Sequence, residues 1–348
     1  MPRPGPGMTM LTAPEFWWRP GRSAAWLLSP AALAYGAVAR ARLERSGAHA
    51  ALPVICIGNF VTGGAGKTPV AMAVAELMKA QNMQPAFLTR GYGGRLRGPV
   101  LVDPKTHTAA DVGDEPLLLA GLAPTMVSAN RPLGAKALAE AGAEVDLIIM
   151  DDGFQNPSLH KDVSLVVVDG GRGVGNGWVI PAGPLRAPLA SQLRKADAIV
   201  LVGEGEAGAT LVRMAARAGV PIIHADFQPL RKRGFRRKPY LAFAGIAAPN
   251  KFYDTLERAG AQVELTMAFP DHHPFTDEDC AVVLKLADEK ELTPITTLKD
   301  QVRLIGRDGP AGELYERAEV FPVTLIFHEP RRLMQVIREG LDRRIVRR

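Results

Sequence analysis

Short apolar segments alternate with amphipathic stretches from residue 52 onward. The apolar run at 52–58, for example, is followed by a helical pattern at 67–81. The runs are continuously apolar, which indicates a sheet covered on both faces. The order predicts an α/β fold with a doubly wound, mostly parallel sheet and a ligand site at the carboxyl ends of its strands. Further strands are predicted at 85–89, 124–128, 145–151, 163–169, 197–202 and 220–226.

A basic run, RKRGFRRK at 231–238, interrupts this order. Beyond it, strands predicted at 240–246, 261–269, 293–298 and 320–327 are separated by helical patterns, so we expect a second, smaller α/β domain. The predicted organisation is a helical amino-terminal segment (1–50), a large domain (51–230), a basic linker (231–239) and the smaller domain (240–348).

The amino-terminal segment contains an uncharged, alanine-rich stretch at 23–39. It is short for a membrane-spanning helix, which needs about 20 apolar residues. Four of its residues fall on one helical stripe, and tryptophans precede it, so we predict a helix that lies in a membrane interface. The alternative is a helix packed against its own domain. The stripe consists of Trp26, Pro30, Leu33 and Ala37.

The segment NFVTGGAGKTP at 59–69 stands between a predicted strand and a predicted helix. It matches a phosphate-binding P-loop, G-x-x-x-x-G-K-[ST], except that Val61 replaces the first glycine. In such loops the glycines let backbone N–H groups approach phosphate, and the lysine reaches the β- and γ-phosphates. The predicted nucleotide-binding residues are Thr62, Gly63, Gly64, Ala65, Gly66, Lys67 and Thr68, with Thr68 also a Mg²⁺ ligand.

A P-loop requires an acidic partner for its metal, and VDLIIMDDGFQ at 145–155 offers one. The apolar strand ends in Asp151 and Asp152, and one carboxylate would hold Mg²⁺. The alternative is a pair of turn aspartates before Gly153.

Two further segments carry candidate acid–base groups. In DVGDEPLLLA, Asp114 and Glu115 begin an apolar helix; Asp114 could cap it, or serve as a base for an alcohol acceptor, or do both. In FPDHHPFTDED at 269–279, histidines could shuttle protons or orient a base, or could be exposed loop residues. In TTLKD at 296–300 the order differs from the guanine-reading [NT]-K-x-D motif, which argues against GTP.

With these pieces assembled, the chain resembles the tetraacyldisaccharide 4′-kinase family, the lipid A 4′-kinases of Gram-negative bacteria. The resemblance runs from about residue 15 to 330 and rests on GNFVTGGAGKTP, RGYGG, DVGDEPLLLA, DDGFQ, PAGPLR, DHH and TLKD. It implies transfer of the γ-phosphate of ATP to the 4′-hydroxyl of an acylated glucosamine disaccharide 1-phosphate, with Mg²⁺. It also implies a P-loop domain joined to a smaller domain, and work at the cytoplasmic face of the inner membrane.

The resemblance also assigns roles to residues. Lys67 and Thr68 match the P-loop pair, Asp114 the base, and His272 the histidine thought to act with it. The acidic residues near the metal are Glu115, Asp151 and Asp152, and Gln155 is a candidate nucleotide contact. Two positions depart from the family: Ala187 follows PLR where an acidic residue is usual, and Leu298 replaces the glutamate of T-E-K-D.

Charge and cysteine content limit the remaining classes. The net charge of +6 is not concentrated as in a dedicated nucleic-acid binder, so we expect no nucleic-acid partner. Basic runs at both ends suit an anionic lipid surface. Two cysteines give no disulfide framework, which favours a reducing compartment. We expect a monomer.

The rival hypotheses are a switch ATPase that binds a protein partner, which the Thr62 position disfavours, and a soluble small-molecule kinase.

Overall fold

The computed structural model describes residues 13–19, 23–64, 66–141, 144–230 and 238–346. Ala65, residues 1–12 of the amino-terminal segment and all but the end of the 231–239 linker lie outside the described residues.

A nine-stranded sheet forms the centre of the larger domain in the described residues. Its seven central strands are parallel, and an antiparallel strand closes each edge. The strands, numbered along the chain and given in spatial order, are β13 (Val323–Phe327), β8 (Ile222–Pro229), β7 (Ala198–Val202), β6 (Val163–Asp169), β1 (Val54–Asn59), β5 (Leu147–Asp151), β2 (Pro85–Thr89), β4 (Thr125–Val127) and β3 (Val100–Leu101).

Helices cover both faces of this sheet, which confirms the predicted doubly wound fold. Alternate residues of β1 enter two different cores: Ile55 and Ile57 pack with one set of helices, while Val54 and Cys56 pack with the other. The first face is covered by α3 (Lys67–Lys79) and α13 (Pro330–Val346); the second by α6 (Arg131–Glu140) and α8 (Glu206–Arg217). The continuous apolar character of the strands follows from this double burial.

The smaller domain is built on a four-stranded parallel sheet. Its spatial order is β10 (Gln262–Ala268), β9 (Pro239–Ala244), β11 (Thr293–Thr296) and β12 (Glu319–Val320). The accompanying helices are α9 (Pro249–Arg258), α10 (Asp277–Glu289), α11 (Leu298–Gln301) and α12 (Gly309–Arg317).

The predicted strand at 320–327 was wrong as a single element. The chain leaves the small sheet at β12, passes Phe321 and Pro322, and enters the large sheet as β13, antiparallel to β8. Proline lacks the N–H that a continuous ladder requires, so it separates the two pairings. Residues 323–346 therefore belong with the large domain, and the predicted boundary of 240–348 for the smaller domain is corrected.

The described residues of the amino-terminal segment form a 3₁₀ turn (Glu15–Trp18) and two helices, α1 (Ser23–Leu27) and α2 (Ser29–Leu43). Its small residues Ala25, Ala32 and Gly36 are buried against the large domain. The predicted stripe, in contrast to these small residues, faces solvent: Trp26 is 67% exposed and Leu33 is 69% exposed. Among the described residues, no helix has the length and apolar character that crossing a membrane requires.

Three further short helices complete the description: α4 (Ala109–Val112), α5 (Asp114–Ala120) and α7 (Leu189–Leu193). Helix α5 packs against β2 and β4. Gly113, directly before it, lies against the Tyr92 carbonyl, just beyond the carboxyl end of β2, so the first residues of α5 stand at the sheet edge where a ligand is expected.

Candidate active site

The predicted P-loop connects the end of β1 to the start of α3. Gly63 and Gly66 have positive φ angles of 102° and 80°, a backbone region that favours glycine. Val61, in contrast, is buried and forms an antiparallel bridge with Leu185. The conformational freedom that the loop needs is therefore supplied downstream, which explains why position 61 tolerates valine. The Asn59 side chain donates a hydrogen bond to the Gly63 carbonyl, 3.0 Å away, and holds the loop to the strand end.

Asp151, at the end of β5, is almost completely buried beside the P-loop. The Thr68 hydroxyl donates a hydrogen bond to its Oδ2 over 3.0 Å. Its Oδ1 is buried without a hydrogen-bond partner among the described residues. Burial, together with the nearby negative charge of Glu115, raises the pKa of Asp151 to about 7. A cation at Oδ1 would both satisfy this oxygen and restore the ionised form.

Asp152 takes a different environment from its neighbour. Its positive φ of 50° turns the side chain toward basic groups. Arg186 Nη1 lies 2.7 Å from its Oδ1, and Lys67 Nζ lies 3.8 Å from its Oδ2. Burial opposes ionisation, but Lys67 and Arg186 outweigh it and lower the pKa of Asp152. The two adjacent aspartates are thus distinguished: Asp152 forms ion pairs with two cations, whereas Asp151 forms none among the described residues.

Gln155 and Arg186 extend this network. Arg186 Nη1 donates to Gln155 Oε1 over 3.2 Å, and Gln155 Nε2 donates to the Asn59 carbonyl over 2.7 Å. In the sequence, Arg186 is only the last residue of the PAGPLR motif, and no local pattern indicates a role for it. Ala187 is buried in place of the family's acidic residue, and its carbonyl accepts a hydrogen bond from Gln192.

Asp114 meets the smaller domain at the start of α5. His272 Nδ1 lies 3.1 Å from Asp114 Oδ2, and Arg303 donates to the same oxygen from Nε at 2.9 Å and from Nη2 at 2.6 Å. Burial opposes ionisation of Asp114, but His272, Lys299 and Arg303 more than offset it and hold its pKa well below the ordinary range. Asp114 is not the N-cap, which is Gly113, although its Oδ1 accepts from the Glu115 N–H at 2.9 Å.

Lys299 connects the acidic groups with the histidine. Its Nζ lies 3.4 Å from Glu115 Oε1, 3.1 Å from His272 Nε2 and 4.0 Å from Asp114 Oδ2. Asp300, beside it in the TLKD segment, points inward: Oδ1 accepts from the Gly245 N–H, and Oδ2 from the Thr297 hydroxyl. The TLKD carboxylate therefore forms hydrogen bonds within the smaller domain.

The two adjacent histidines have separate environments. His272 has a positive φ of 58° and faces Asp114. His273 Nε2 lies 2.7 Å from Asp279 Oδ2, where that carboxylate completes the capping box of α10, and the ring stacks on Phe269. The local pattern did not distinguish them, and only the family resemblance singled out His272; the structure places His272 at the interdomain site and His273 within the smaller domain.

Comparison with known proteins identifies the family. The family model for tetraacyldisaccharide-1-P 4′-kinase matches residues 24–342. A tetraacyldisaccharide 4′-kinase of Bradyrhizobium sp. (strain ORS 278) is 48% identical over 94% of this chain and 98% of its own length. One from Methylobacterium nodulans is 51% identical, covering 92% and 93% respectively. The chain belongs to the tetraacyldisaccharide 4′-kinase family.

A solved structure adds the shared fold of this kinase family. The crystal structure of LpxK from Aquifex aeolicus in complex with ATP aligns with a TM-score of 0.69 at 24% identity. The alignment covers 91% of this chain and 99% of that one. The predicted family, the fold class, the phosphotransferase class and the lipid A 4′-kinase activity are thereby confirmed.

Proposed function

We propose that this kinase moves the γ-phosphoryl group of ATP to the 4′-hydroxyl of its acylated disaccharide in a cleft between the two domains, with the P-loop on one side and Asp114 on the other. One observation carries the proposal: a set of charged groups extends from the Asp114 side to the Asp151 side. Lys299 contacts both Glu115 and Asp114, while Glu115 is near enough to Asp151 to raise its pKa. Phosphoryl transfer needs positioning and charge neutralisation, and this arrangement offers both.

The oxygen ligands beside the P-loop suit Mg²⁺. Within the described ranges, no group of three or more His, Cys, Asp or Glu side chains is arranged to hold a metal. Mg²⁺, however, is usually bound by one or two carboxylates together with substrate phosphates and water. The unpartnered Asp151 Oδ1 and the adjacent Thr68 hydroxyl fit that role, with Glu115 and Asp152 as outer acidic groups. Bound there, the ion would neutralise charge on the phosphates.

Residues of this chain can also supply positive charge to the phosphates and orient the acceptor hydroxyl. The α3 amino terminus and Lys67 supply positive charge to the phosphates. Asp114 Oδ2 is already occupied by Arg303 and His272, whereas Oδ1 accepts one backbone N–H and has further acceptor capacity. Oδ1 is thus the oxygen that can accept and orient the acceptor hydroxyl. His272, with Nδ1 toward Asp114, fixes the carboxylate from the second domain.

Membrane contact follows from the amino-terminal helices. Helices α1 and α2 bury their small residues and leave Trp26, Leu27, Leu33 and Val38 exposed. A helix packed only for stability would bury its large apolar side chains. This face supports peripheral attachment to the cytoplasmic side of the inner membrane, where a lipid substrate is reached.

A transfer assay tests the proposed function. Purified protein is incubated with γ-labelled ATP and tetraacyl disaccharide 1-phosphate in detergent, with and without Mg²⁺, and label in the lipid is followed by chromatography. We expect labelled lipid that requires Mg²⁺ and is lost in Lys67→Ala and Asp114→Ala, both of which remain folded. ATP hydrolysis without labelled lipid would favour the switch ATPase, and a fully active Asp114→Ala would remove Asp114 from the mechanism.

A further inference from the structure

Arg303 is a buried arginine that no sequence motif indicated. Its side chain is only 4% exposed. Nε and Nη2 donate to Asp114 Oδ2, while Nη1 donates to Asp300 Oδ1 at 2.6 Å and to the Gly245 carbonyl at 2.8 Å. One guanidinium therefore joins a carboxylate of the large domain to a carboxylate and a backbone carbonyl of the smaller domain.

The same arginine reaches the second member of the Asp114–His272 pair through the backbone. The Gly245 carbonyl accepts from Arg303 Nη1 and also from the His272 N–H, 3.1 Å away. A Cβ at position 245 would lie 3.1 Å from Arg303 Nη1 and 3.2 Å from the Pro270 carbonyl, so glycine permits this close packing. Arg303 consequently fixes Asp114 directly and His272 through one intervening group.

Domain contact alone does not require a buried arginine here. Val302 already packs into an apolar cluster with Val112 and Leu117 of the large domain. Burying charge is costly unless every donor is well placed, and hydrophobic substitutes often stabilise as well or better. What the planar guanidinium adds is direction, because its fixed fork of donors sets the orientation of a carboxylate.

We propose that Arg303 is a positioning residue for phosphoryl transfer. When the smaller domain docks on the large domain, the contacts of Arg303 fix the orientation of Asp114 and His272. The inference rests on the proposed role of Asp114 toward the acceptor hydroxyl. It predicts that the site is assembled only when the Arg303 segment is docked on the large domain.

The test compares Arg303→Ala, Arg303→Lys and wild type in the transfer assay. A misplacement of about 1 Å can cost about a hundredfold in rate, so we expect kcat of the alanine variant to fall by about that factor. The Michaelis constants for ATP and lipid should stay within about twofold, because binding groups are untouched. Guanidinium ion, added below denaturing concentration, should restore part of kcat to Arg303→Ala, and Arg303→Lys should be intermediate.

Arg317→Ala is the matched control. Arg317 also bridges two acidic side chains of the smaller domain, Asp288 and Glu313, and in the described part of the chain it forms no ion pair with Asp114. We expect near wild-type kcat and no response to guanidinium. The proposal is overturned if Arg303→Ala keeps kcat within about threefold of wild type. It is also overturned if the loss of kcat in Arg303→Ala is accompanied by a matching fall in melting temperature, and neither added guanidinium ion nor the Arg303→Lys substitution restores the rate. If Asp114→Ala were itself active, the proposed role of Asp114 would fail, and the inference that rests on it would fail with it; the absence of labelled lipid from the wild-type protein would instead count against the proposed function.

Discussion

Replacement of Asp151 by asparagine should stabilise the ligand-free protein while abolishing its activity. Asp151 lies buried at the end of β5, and its pKa is raised from an ordinary 3.8 to about 7. Between these values the folded protein holds a proton that the unfolded chain has released. Stability therefore falls as pH rises from about 4 to about 7, and the full cost applies above that range.

The magnitude follows from the shift. Raising the pKa of Asp151 from 3.8 to about 7 lowers the unfolding free energy at pH 8 by at most roughly 4 kcal/mol, because relaxation of the site reduces the cost. Asparagine is nearly isosteric, keeps an acceptor for the Thr68 hydroxyl and cannot ionise. The Asp151→Asn variant should therefore melt at a higher temperature than wild type at pH 8, and the difference should vanish near pH 4.

Thermal melts at pH 4 to 8, without nucleotide and with or without Mg²⁺, measure this effect. Mg²⁺ should raise the melting temperature of wild type at pH 8 more than that of the variant, since the cation favours the ionised carboxylate. Asp114→Asn is the matched control of opposite sign. The pKa of Asp114 is lowered, so its ionised form stabilises the fold at pH 8, and asparagine should lower the melting temperature there. An Asp151→Asn variant less stable than wild type at pH 8, or a difference independent of pH, would refute the reasoning.

Two further predictions concern the histidine loop and the membrane face. His272→Ala should lower kcat by about a hundredfold or more, since its ring contacts Asp114, whereas His273→Ala should mainly lower the melting temperature. Equal kinetic losses in both variants would contradict the separate roles. Leu33→Gln should weaken vesicle flotation about five- to thirtyfold, because inserting a largely exposed leucine contributes roughly 1–2 kcal/mol. Leu133→Gln, on the exposed side of α6, is the control and should float like wild type; equal flotation of both variants would exclude this membrane face.

Local features of this protein could be predicted from the sequence because neighbouring residues carry them. The glycine-rich turn between a strand and a helix, and the aspartate pair at a strand end, depend on residues within about a dozen positions. Their chemistry follows from residue type and spacing. The continuously apolar strand segments likewise indicated two-sided burial, because a strand covered on both faces carries apolar residues at successive positions.

Other features depend on residues that are distant in sequence. Asp114 and Arg303 are 189 positions apart, and no motif contains both. The role of Arg303 is decided by how the smaller domain docks, which is a property of packing. The return of β13 to the large sheet was hidden for a similar reason, since an apolar run does not specify which sheet it joins.

The sequence by itself predicted a phosphate-binding loop and a pair of metal-binding aspartates, and it determined the α/β class, because local spacing and continuously apolar strands encode them. The tertiary structure alone decided that the pKa of Asp151 is raised and that of Asp152 lowered, since the two residues are adjacent and differ only in the groups that surround them. It also decided which histidine meets Asp114 and which helix face remains exposed. Those outcomes depend on partners brought together by folding, and the chain order does not specify them.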